Sequence, residues 1–351
     1  MYLLELDRLA GQQSMLIFHA LARMGVEALV IVSPKAPLVS IGYFQNADAE
    51  VDLRYCREAR LPVMRREVGG GATYLDQNQI FYQVIWNKKN PKFPRRIKDI
   101  FEFLSVPPCN TYRRLGVPTE FRAENDIVTK DGRKIAGEGG GDIDQCMVFV
   151  GGILLDFDYV TMARVLKVPD EKFRDKIYKS MEENVTTLKR ELGRIPPRDE
   201  IRKTLVSEFE KSLGRLEPVS LDATALRKMT ELKKWFTSPQ FLHRKRAKIA
   251  SGVKIKGGVE ILYGLHKARG GLIRTAEEIE EKRMNAITIS GDFNLFPKGS
   301  LERLETHLEQ VDFKEKALLQ RIDRFYDHYE VESPGVTAED FKKTILEARK
   351  E

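Results

Sequence analysis

The alternation of hydrophobic and polar positions changes its period several times along the chain, and each change marks an element. In "QQSMLIFHALARMG", Leu16, Ile17, Ala20, Leu21 and Met24 recur at helical spacing and Gly25 follows as a stop, which predicts an opening amphipathic helix. Short apolar runs come next: "EALVIVS", "LVSIGYF", "LPVMRRE", "IFYQVIW" and "NDIVT" are of strand length and rich in Val, Ile and aromatics. Together they predict one mixed sheet. "DGRKIAG" predicts a tight turn at Asp131-Gly132 feeding a further strand, and "MVFVGGILLDFD" continues the pattern.

The helical period returns in "IPPRDEIRKTLVSEFEKSLG". Pro197 is placed for a first helical turn, Asp199 and Glu200 suit its positive end, and Ile201, Leu205, Phe209 and Leu213 form a core stripe closed by Gly214. "RLEPVSLDATALRKMTELKKWFTSPQFLHRKR" is polar and helix-rich, with no strand signal, and sets a domain boundary near Leu221. Beyond it, "KIKGGVEILYGLHKA", "GGLIRTA" and "NAITISGDF" are strand candidates. A helix from Ser300 carries Leu301, Leu304 and Leu308, and Thr337 with Asp340 makes a capping box for the last helix. The pattern is α/β (α+β): a mixed-sheet domain over residues 1–220, a connection over 221–235 and a smaller α/β domain over 236–351. No period repeats.

The length of 351 residues agrees with two cores. The longest apolar stretch, Met147 to Leu155, is too short to span a bilayer, and Glu5, Asp7 and Arg8 interrupt any signal-peptide core, so a cytoplasmic protein is expected. Cys56, Cys109 and Cys146 are too few and too far apart for a disulfide framework or a thiolate zinc site. The net charge of +7 suits an acidic partner. Its densest run, "HRKRAKIASGVKIKG" at His243 to Gly257, reads either as a nucleic-acid patch or as a solvated face, and nucleic acid is not the expected partner.

Two segments stand out chemically. In "RREVGGGATYLD" (Arg65 to Asp76), Gly69, Gly70 and Gly71 let the backbone approach a bulky ligand and aim amides at anionic oxygens, and Arg66 is placed to contact a phosphate. A glycine-rich hairpin with solvated arginines explains the same letters. The spacing matches neither a P-loop nor a dinucleotide fingerprint. In "ENDIVTKDGRKIAGEGGGD", Asn125 and Asp126 precede a strand, a turn, and Lys134 ahead of Gly137 and a second triple glycine. A lysine beside such a loop can balance the charge that accumulates when an acid attacks an α-phosphate; an exposed strand lysine is the alternative.

Taken together the two segments resemble the lipoate-protein ligase family, which carries "RRxxGGGxxxxD" and, about sixty residues later, "ND" followed by "KxxG". The flanks "LVSIGYFQNADAEVDLRYC" and "VGGILLDFD" are similar to the family's, and "HKARGGLIRTAEEIEEKRMNAITISGDFNLFPKGSLERLETHL" resembles its accessory C-terminal domain, so the likeness covers essentially the whole chain. It implies a catalytic domain like those of biotin and lipoate ligases. It implies ATP and Mg²⁺, with lipoate or octanoate activated as acyl-AMP and passed to a lysine of a lipoyl-domain acceptor. Such acceptors are the acyltransferase subunit of a 2-oxoacid dehydrogenase and the glycine cleavage H protein, and a monomeric enzyme is expected.

The resemblance assigns Lys134 to catalysis at phosphate and acyl carbonyl. To ATP or the acyl-adenylate it assigns Arg66, Gly69, Gly70, Gly71, Ala72, Thr73, Tyr74, Asp76, Asn78, Asn125, Asp126 and Gly137, with Asn125 and Asp126 also as magnesium ligands. Val68, Ile135 and Phe149 are the expected contacts of the acyl tail. Where many relatives have "HDxGN", this chain reads "LDQNQ", with Leu75 in place of the histidine. An octanoyltransferase of the same fold would pass the acyl group through a cysteine, yet Thr119 to Lys134 and Val160 to Asp199 hold none, leaving Cys146 on an expected strand. The "GRGR" signature of a biotin ligase is absent.

Overall fold

The computed structural model describes residues 1–122, 124–245 and 259–348. The chain opens with β1 (Tyr2–Leu9), α1 (Gly11–Arg23), β2 (Ala28–Pro34) and β3 (Leu38–Ile41). Short helices α2 (Ala47–Glu50) and α3 (Leu53–Glu58) lead to β4 (Val63–Arg65), β5 (Thr73–Leu75) and β6 (Gln79–Asn87). After α4 (Ile97–Arg114) come β7 (Thr119–Arg122), β8 (Asp126–Thr129), β9 (Lys134–Gly137), β10 (Gly139–Ile143) and β11 (Cys146–Leu154). Helices α5 (Tyr159–Val165), α6 (Glu171–Asn184), α7 (Leu188–Leu192) and α8 (Arg198–Leu213) precede β12 (Glu217–Pro218), α9 (Ala223–Phe236) and α10 (Pro239–Leu242). The C-terminal part holds β13 (Val259–Ala268), β14 (Gly271–Glu280), β15 (Arg283–Gly291), α11 (Ser300–Leu308), α12 (Glu315–Tyr329) and α13 (Ala338–Leu346).

The expected single sheet is three. A six-stranded mixed sheet runs β10-β11-β6-β2-β1-β12, while β4-β3-β5 and β7-β8-β9 form separate small sheets beside it. The split follows from length: the three- and four-residue strands of the small sheets cannot span the main sheet, whereas β6 and β11 pair along nine residues each. The central strand β6 is buried on both faces. Phe81 and Ile85 enter the core under α1, and Ile80, Tyr82, Val84 and Trp86 enter the core under α4 and α8. An apolar run without alternation is what a doubly covered strand requires.

Helix α1 departs from a simple amphipathic pattern, since every residue from Ser14 to Ala22 is buried. The sheet covers one side and α9 the other, where Phe236 lies 4.2 Å from the His19 ring. Around α8, Pro197 is the N-cap rather than a first-turn residue; Ile201, Leu205, Phe209 and Leu213 are buried as expected, and Gly214 ends the helix at φ +79°. Helix α4 carries Pro107 and Pro108 in its interior, so its propensity argues against it. Burial of Leu104, Cys109 and Tyr112 against α8 overrides that local preference.

The stretch expected to lack strands contributes β12, whose Glu217 and Pro218 pair with the outer edge of β1. In the C-terminal part, β13, β14 and β15 form an antiparallel sheet covered by α11 and α13, and the Thr337–Asp340 capping box is present. Its apolar core joins that of the main sheet through Phe44 and Phe293, stacked at 5.4 Å. Of the basic run, residues 246–257 lie outside the described residues. The preceding three are paired: His243 with Asp48 at 2.8 Å, Arg244 with Glu302 at 2.8 Å and Lys245 with Glu305 at 3.0 Å. Among the described residues no helix is long and apolar enough to cross a membrane.

Candidate active site

The two triple-glycine segments cross each other backbone to backbone. The Gly69 N–H donates to the Gly140 carbonyl at 3.1 Å, and a Cβ on Gly141 would come within 2.5 Å of the Glu67 carbonyl. Gly70 takes φ +89°, a conformation open to glycine, and a Cβ on Gly69 would meet the Phe293 carbonyl at 2.6 Å. In front of this crossing lies a cavity of about 350 Å³. Gly69, Gly70, Gly71, Ala72, Thr73, Tyr74 and Arg66 line it from one segment, and Asn125, Lys134 and Gly137 from the other. The coupling inferred from spacing is a spatial fact.

The three residues that start the first segment have divergent tasks. Arg65 is fully buried away from the cavity and donates to the carbonyls of Gly42, Tyr43, Gln45, Phe241 and Leu242, tying β4 to α10. Arg66 donates through all three guanidinium nitrogens: Nε and Nη2 to Gly69, Nη2 to Gly71 at 2.8 Å, and Nη1 to the Ser40 carbonyl and hydroxyl. A guanidinium has five N–H groups, so this set leaves none for a phosphate. Arg66 therefore braces the glycine loop and lends the cavity its charge, although burial pulls its pKa down to about 10. Glu67 turns the other way and pairs with Arg23 and Lys298, each at 2.6 Å, while its amide donates to Nε2 of His19.

Lys134 begins β9, half-exposed, with Nζ 2.7 Å from Asp126 Oδ1. Asp126 stands directly opposite Gly137 in the ladder, and the lysine side chain folds back across that glycine. Asn125 reaches the same wall and donates its side-chain amide to the Glu138 carbonyl at 2.9 Å. The other Asp126 oxygen accepts from Arg122 at 3.5 Å, and no group of three or more His, Cys, Asp or Glu side chains occurs among the described residues, so Asn125 and Asp126 would hold a magnesium ion only together with phosphate oxygens.

Three of the expected ligand-binding residues, Asp76, Asn78 and Asp126, lie outside the cavity wall. Asp76 accepts from the backbone and side-chain amides of Asn78, which makes an Asx turn between β5 and β6. Val68 and Phe149 belong to the packed core; of the three expected tail contacts only Ile135 lines the cavity. The alternation along β11 explains Phe149, because it is Val150, Gly152 and Leu154 that face the cavity side.

Other residues of the wall have no motif. Met15 and Phe18 of α1 form one apolar lobe with Phe81 and Leu75, and Phe157, Met162 and Met181 form another with Tyr74. Such a cavity, largely apolar with a few convergent polar groups, is the usual form of a small-molecule site. Tyr112 was not legible either: its hydroxyl donates to the Ile135 carbonyl at 3.0 Å and accepts from the Leu154 amide at 2.9 Å, pinning β9 to β11. The apolar neighbours of α1 and β6 could have signalled the first lobe; nothing in the local sequence signals the second. All three cysteines are buried, and none lines the cavity.

The family model for the lipoyl protein ligase A/B catalytic domain matches residues 11–210. Lipoate-protein ligase A subunit 1 of Thermoplasma acidophilum is 32% identical over 184 residues, covering 50% of this chain and 68% of that protein. Octanoyltransferase LipM of Kyrpidia tusciae is 25% identical over 231 residues, 60% of this chain and 84% of its own. The lipoate–protein ligase of Streptococcus pyogenes is 28% identical over 294 residues, 82% and 81%. Among solved structures, a bi-partite lipoate protein ligase of Thermoplasma acidophilum, described with its E2 lipoyl domain, aligns with TM-score 0.62 at 27% identity over 69% of this chain and 96% of that one. A lipoate-protein ligase A bound with ATP aligns with TM-score 0.58 at 23% identity, 69% and 98%. LipL1 of P. falciparum, in complex with lipoate, shares the fold along 99% of both chains, with TM-score 0.70 at 14% identity. By the matched residues and the glycine and lysine segments that fall within them, this chain belongs to the lipoyl protein ligase A/B catalytic domain family.

Proposed function

We propose that the chain is an ATP-dependent lipoate-protein ligase acting through an acyl-adenylate. The observation that carries the reading is a cavity in which Lys134 and the braced glycine loop meet and no cysteine is present. A carboxylate has to be activated before an amine can displace its oxygen. With no thiol at hand for a thioester, activation falls to a nucleotide.

In the first step a carboxylate oxygen of lipoate or octanoate bonds to the α-phosphorus of ATP and the bond to the bridging oxygen breaks, releasing pyrophosphate. Lys134 moves from Asp126 onto the oxygens where negative charge accumulates, and the amides of Gly69 to Gly71 supply further partial charge. In the second, the neutral amine of an acceptor lysine attacks the acyl carbonyl, AMP leaves with the bonding pair, and the nitrogen gives up its proton, leaving an amide. Alignment of the two reactants supplies much of the rate. The apolar lobes suit an aliphatic acid and the adenine ring, and the ATP-bound relative supports a nucleotide there.

The acceptors we propose are lipoyl domains, of the 2-oxoacid dehydrogenase acyltransferase subunit and of the glycine cleavage H type. The Thermoplasma relative described with its E2 lipoyl domain supports this. The test is to incubate purified protein with an apo lipoyl domain, lipoate and ATP, and to weigh the domain. A lipoyl mass increase that needs ATP supports the reading. An increase that appears without ATP from octanoyl acyl-carrier protein refutes it and favours the transferase reading suggested by the LipM relatives.

A further inference from the structure

Gln79, Phe81 and Gln83 of β6 share one face and line the cavity, whereas Ile85, next on that face, is sealed in the core. Gln83 therefore marks the inner end of the cavity floor, and it is 1% exposed. Its partners across the ladder are Val30 and Val150, and Met15 and Phe18 of α1 line the same lobe.

The hydrogen bonds of this amide do not balance. Its Nε2 donates to the Ser14 carbonyl of α1 at 2.8 Å. A carbonyl accepts only from a donor, so that contact fixes which way the amide faces and leaves Oε1 on the other side. Oε1 is buried and has no hydrogen-bond partner. The side chains of Val30, Val150, Met15, Phe18 and Phe81 carry no N–H or O–H, and the Ser14 hydroxyl donates to the Gly11 carbonyl at 2.6 Å. A buried acceptor left unpaired is costly, and one at the end of a ligand cavity points to a donor that arrives with the ligand.

The reacting carboxyl belongs at Lys134 and the glycine loop, so the acyl chain runs from them into one of the two lobes. The lobe at Gln83 is walled by the buried Met15, Phe18 and Phe81. The other is walled by the half-buried Phe157, Met181 and Val185, and α6 contributes no buried residue to it. A nucleotide brings a ribose and a charged triphosphate that are costly to take out of water; an aliphatic chain does not. The chain therefore takes the Gln83 lobe, and its last atoms meet Oε1.

We infer that Gln83 is a specificity residue of the acid site: its Oε1 accepts a hydrogen bond from the far end of the acyl chain, and so selects the open dithiol form of lipoate over the closed dithiolane and over octanoate. The dithiol carries an S–H on its last carbon, the dithiolane has none, and octanoate ends in a methyl. A thiol is a weak donor and otherwise apolar, which suits a lobe of Met, Phe and Val around one oxygen. The inference rests on the reading of the cavity as the place where the acid is activated, and it leaves the chemistry at the carboxyl unchanged.

The test is calorimetric titration of the full chain, without nucleotide, with two pairs of acids that differ at the far end. One pair is octanoate and ω-hydroxyoctanoate; the other is lipoate and dihydrolipoate, the latter under argon. Wild type binds the hydroxy acid about tenfold tighter than octanoate, and dihydrolipoate at least about threefold tighter than lipoate. Gln83→Met fills nearly the same volume with a far weaker acceptor. In that variant the hydroxy acid binds more weakly than octanoate, because its hydroxyl is buried without a partner, and the preference for the dithiol is lost. A loss of packing would weaken all four acids together and leave their order alone.

Equal affinities within both pairs in the wild type, or the same order in wild type and variant, overturn the inference; a water then serves the orphaned oxygen. A variant that keeps both orders and raises KM for ATP assigns that oxygen to the adenine amine, and overturns it as well. Pyrophosphate exchange with the same acids tells the two readings apart. Exchange without selectivity overturns only the role of Gln83, whereas the expected orders without exchange leave the selectivity standing and overturn adenylation. A protein that binds none of the four acids overturns both.

Discussion

Lys134 folds its side chain back over Gly137, so that a Cβ placed on that glycine would lie 2.8 Å from Nζ. The spacing of lysine and glycine is thus a steric pairing, and it points the ammonium along the strand toward Asp126. Gly137→Ala should displace the ammonium without disturbing the core, because the group that must move is the far end of a flexible chain. Adenylate formation should fall by about 10²-fold with an unchanged melting temperature, as read by pyrophosphate exchange beside a thermal melt.

Arg66 tests whether the arginine braces the loop or only supplies charge. Arg66→Lys keeps the charge and loses the fork that holds Ser40, Gly69 and Gly71. Urea denaturation should show a loss of about 2–4 kcal/mol from the carbonyls left unsatisfied, and KM for ATP should rise. A lysine variant with wild-type stability and KM would mean that charge alone suffices.

If acyl transfer needs no thioester, the thiol nearest to suspicion should be silent. Cys146 is buried at the start of β11, outside the cavity, and burial pushes its thiol up. Cys146→Ala should retain ligation within about twofold, since removing one small buried sulfur costs little packing. Intact mass spectrometry of wild type incubated with acyl donor should show no covalent acyl-enzyme.

Acid should weaken the fold through His19. Its Nδ1 lies 2.8 Å from the Met15 carbonyl, its Nε2 accepts the Glu67 amide, and burial drives its pKa down to about 3 from 6.5. The unfolded chain takes up that proton first, so the stabilisation is complete above 6.5 and is lost as pH falls toward about 3, at about 1.4 kcal/mol per pH unit. His19→Gln, which can keep one donor and one acceptor there, should flatten that part of the stability profile in denaturant titrations at stepped pH.

These residues also mark where the sequence is legible. The glycine runs, Lys134 and the strands β2, β6 and β11 announce themselves by composition and period, since their constraints are local. Arg66 shows why a motif fixes position better than role: its letters indicate a phosphate contact, and the fold turns it onto its own loop through Ser40, a residue remote in sequence. Asp76 and Asn78 read as ligands and form a turn, because a short polar pair satisfies itself locally. Helix α4 was illegible for the opposite reason. Its prolines argue against a helix, and only packing against α8, contributed from far along the chain, decides for one. The second apolar lobe has the same origin, with Met162 and Met181 brought to Tyr74 by α5 and α6.

The most direct measurement is pyrophosphate exchange into ATP by the purified full chain, with and without lipoate, for the wild type and Lys134→Ala. Exchange that requires the acid, and that falls by at least about 10²–10³-fold in the variant, is the result expected of an adenylating site built on Lys134. Wild-type protein that catalyses no acid-dependent exchange, or a Lys134→Ala variant that exchanges at the wild-type rate, would contradict it.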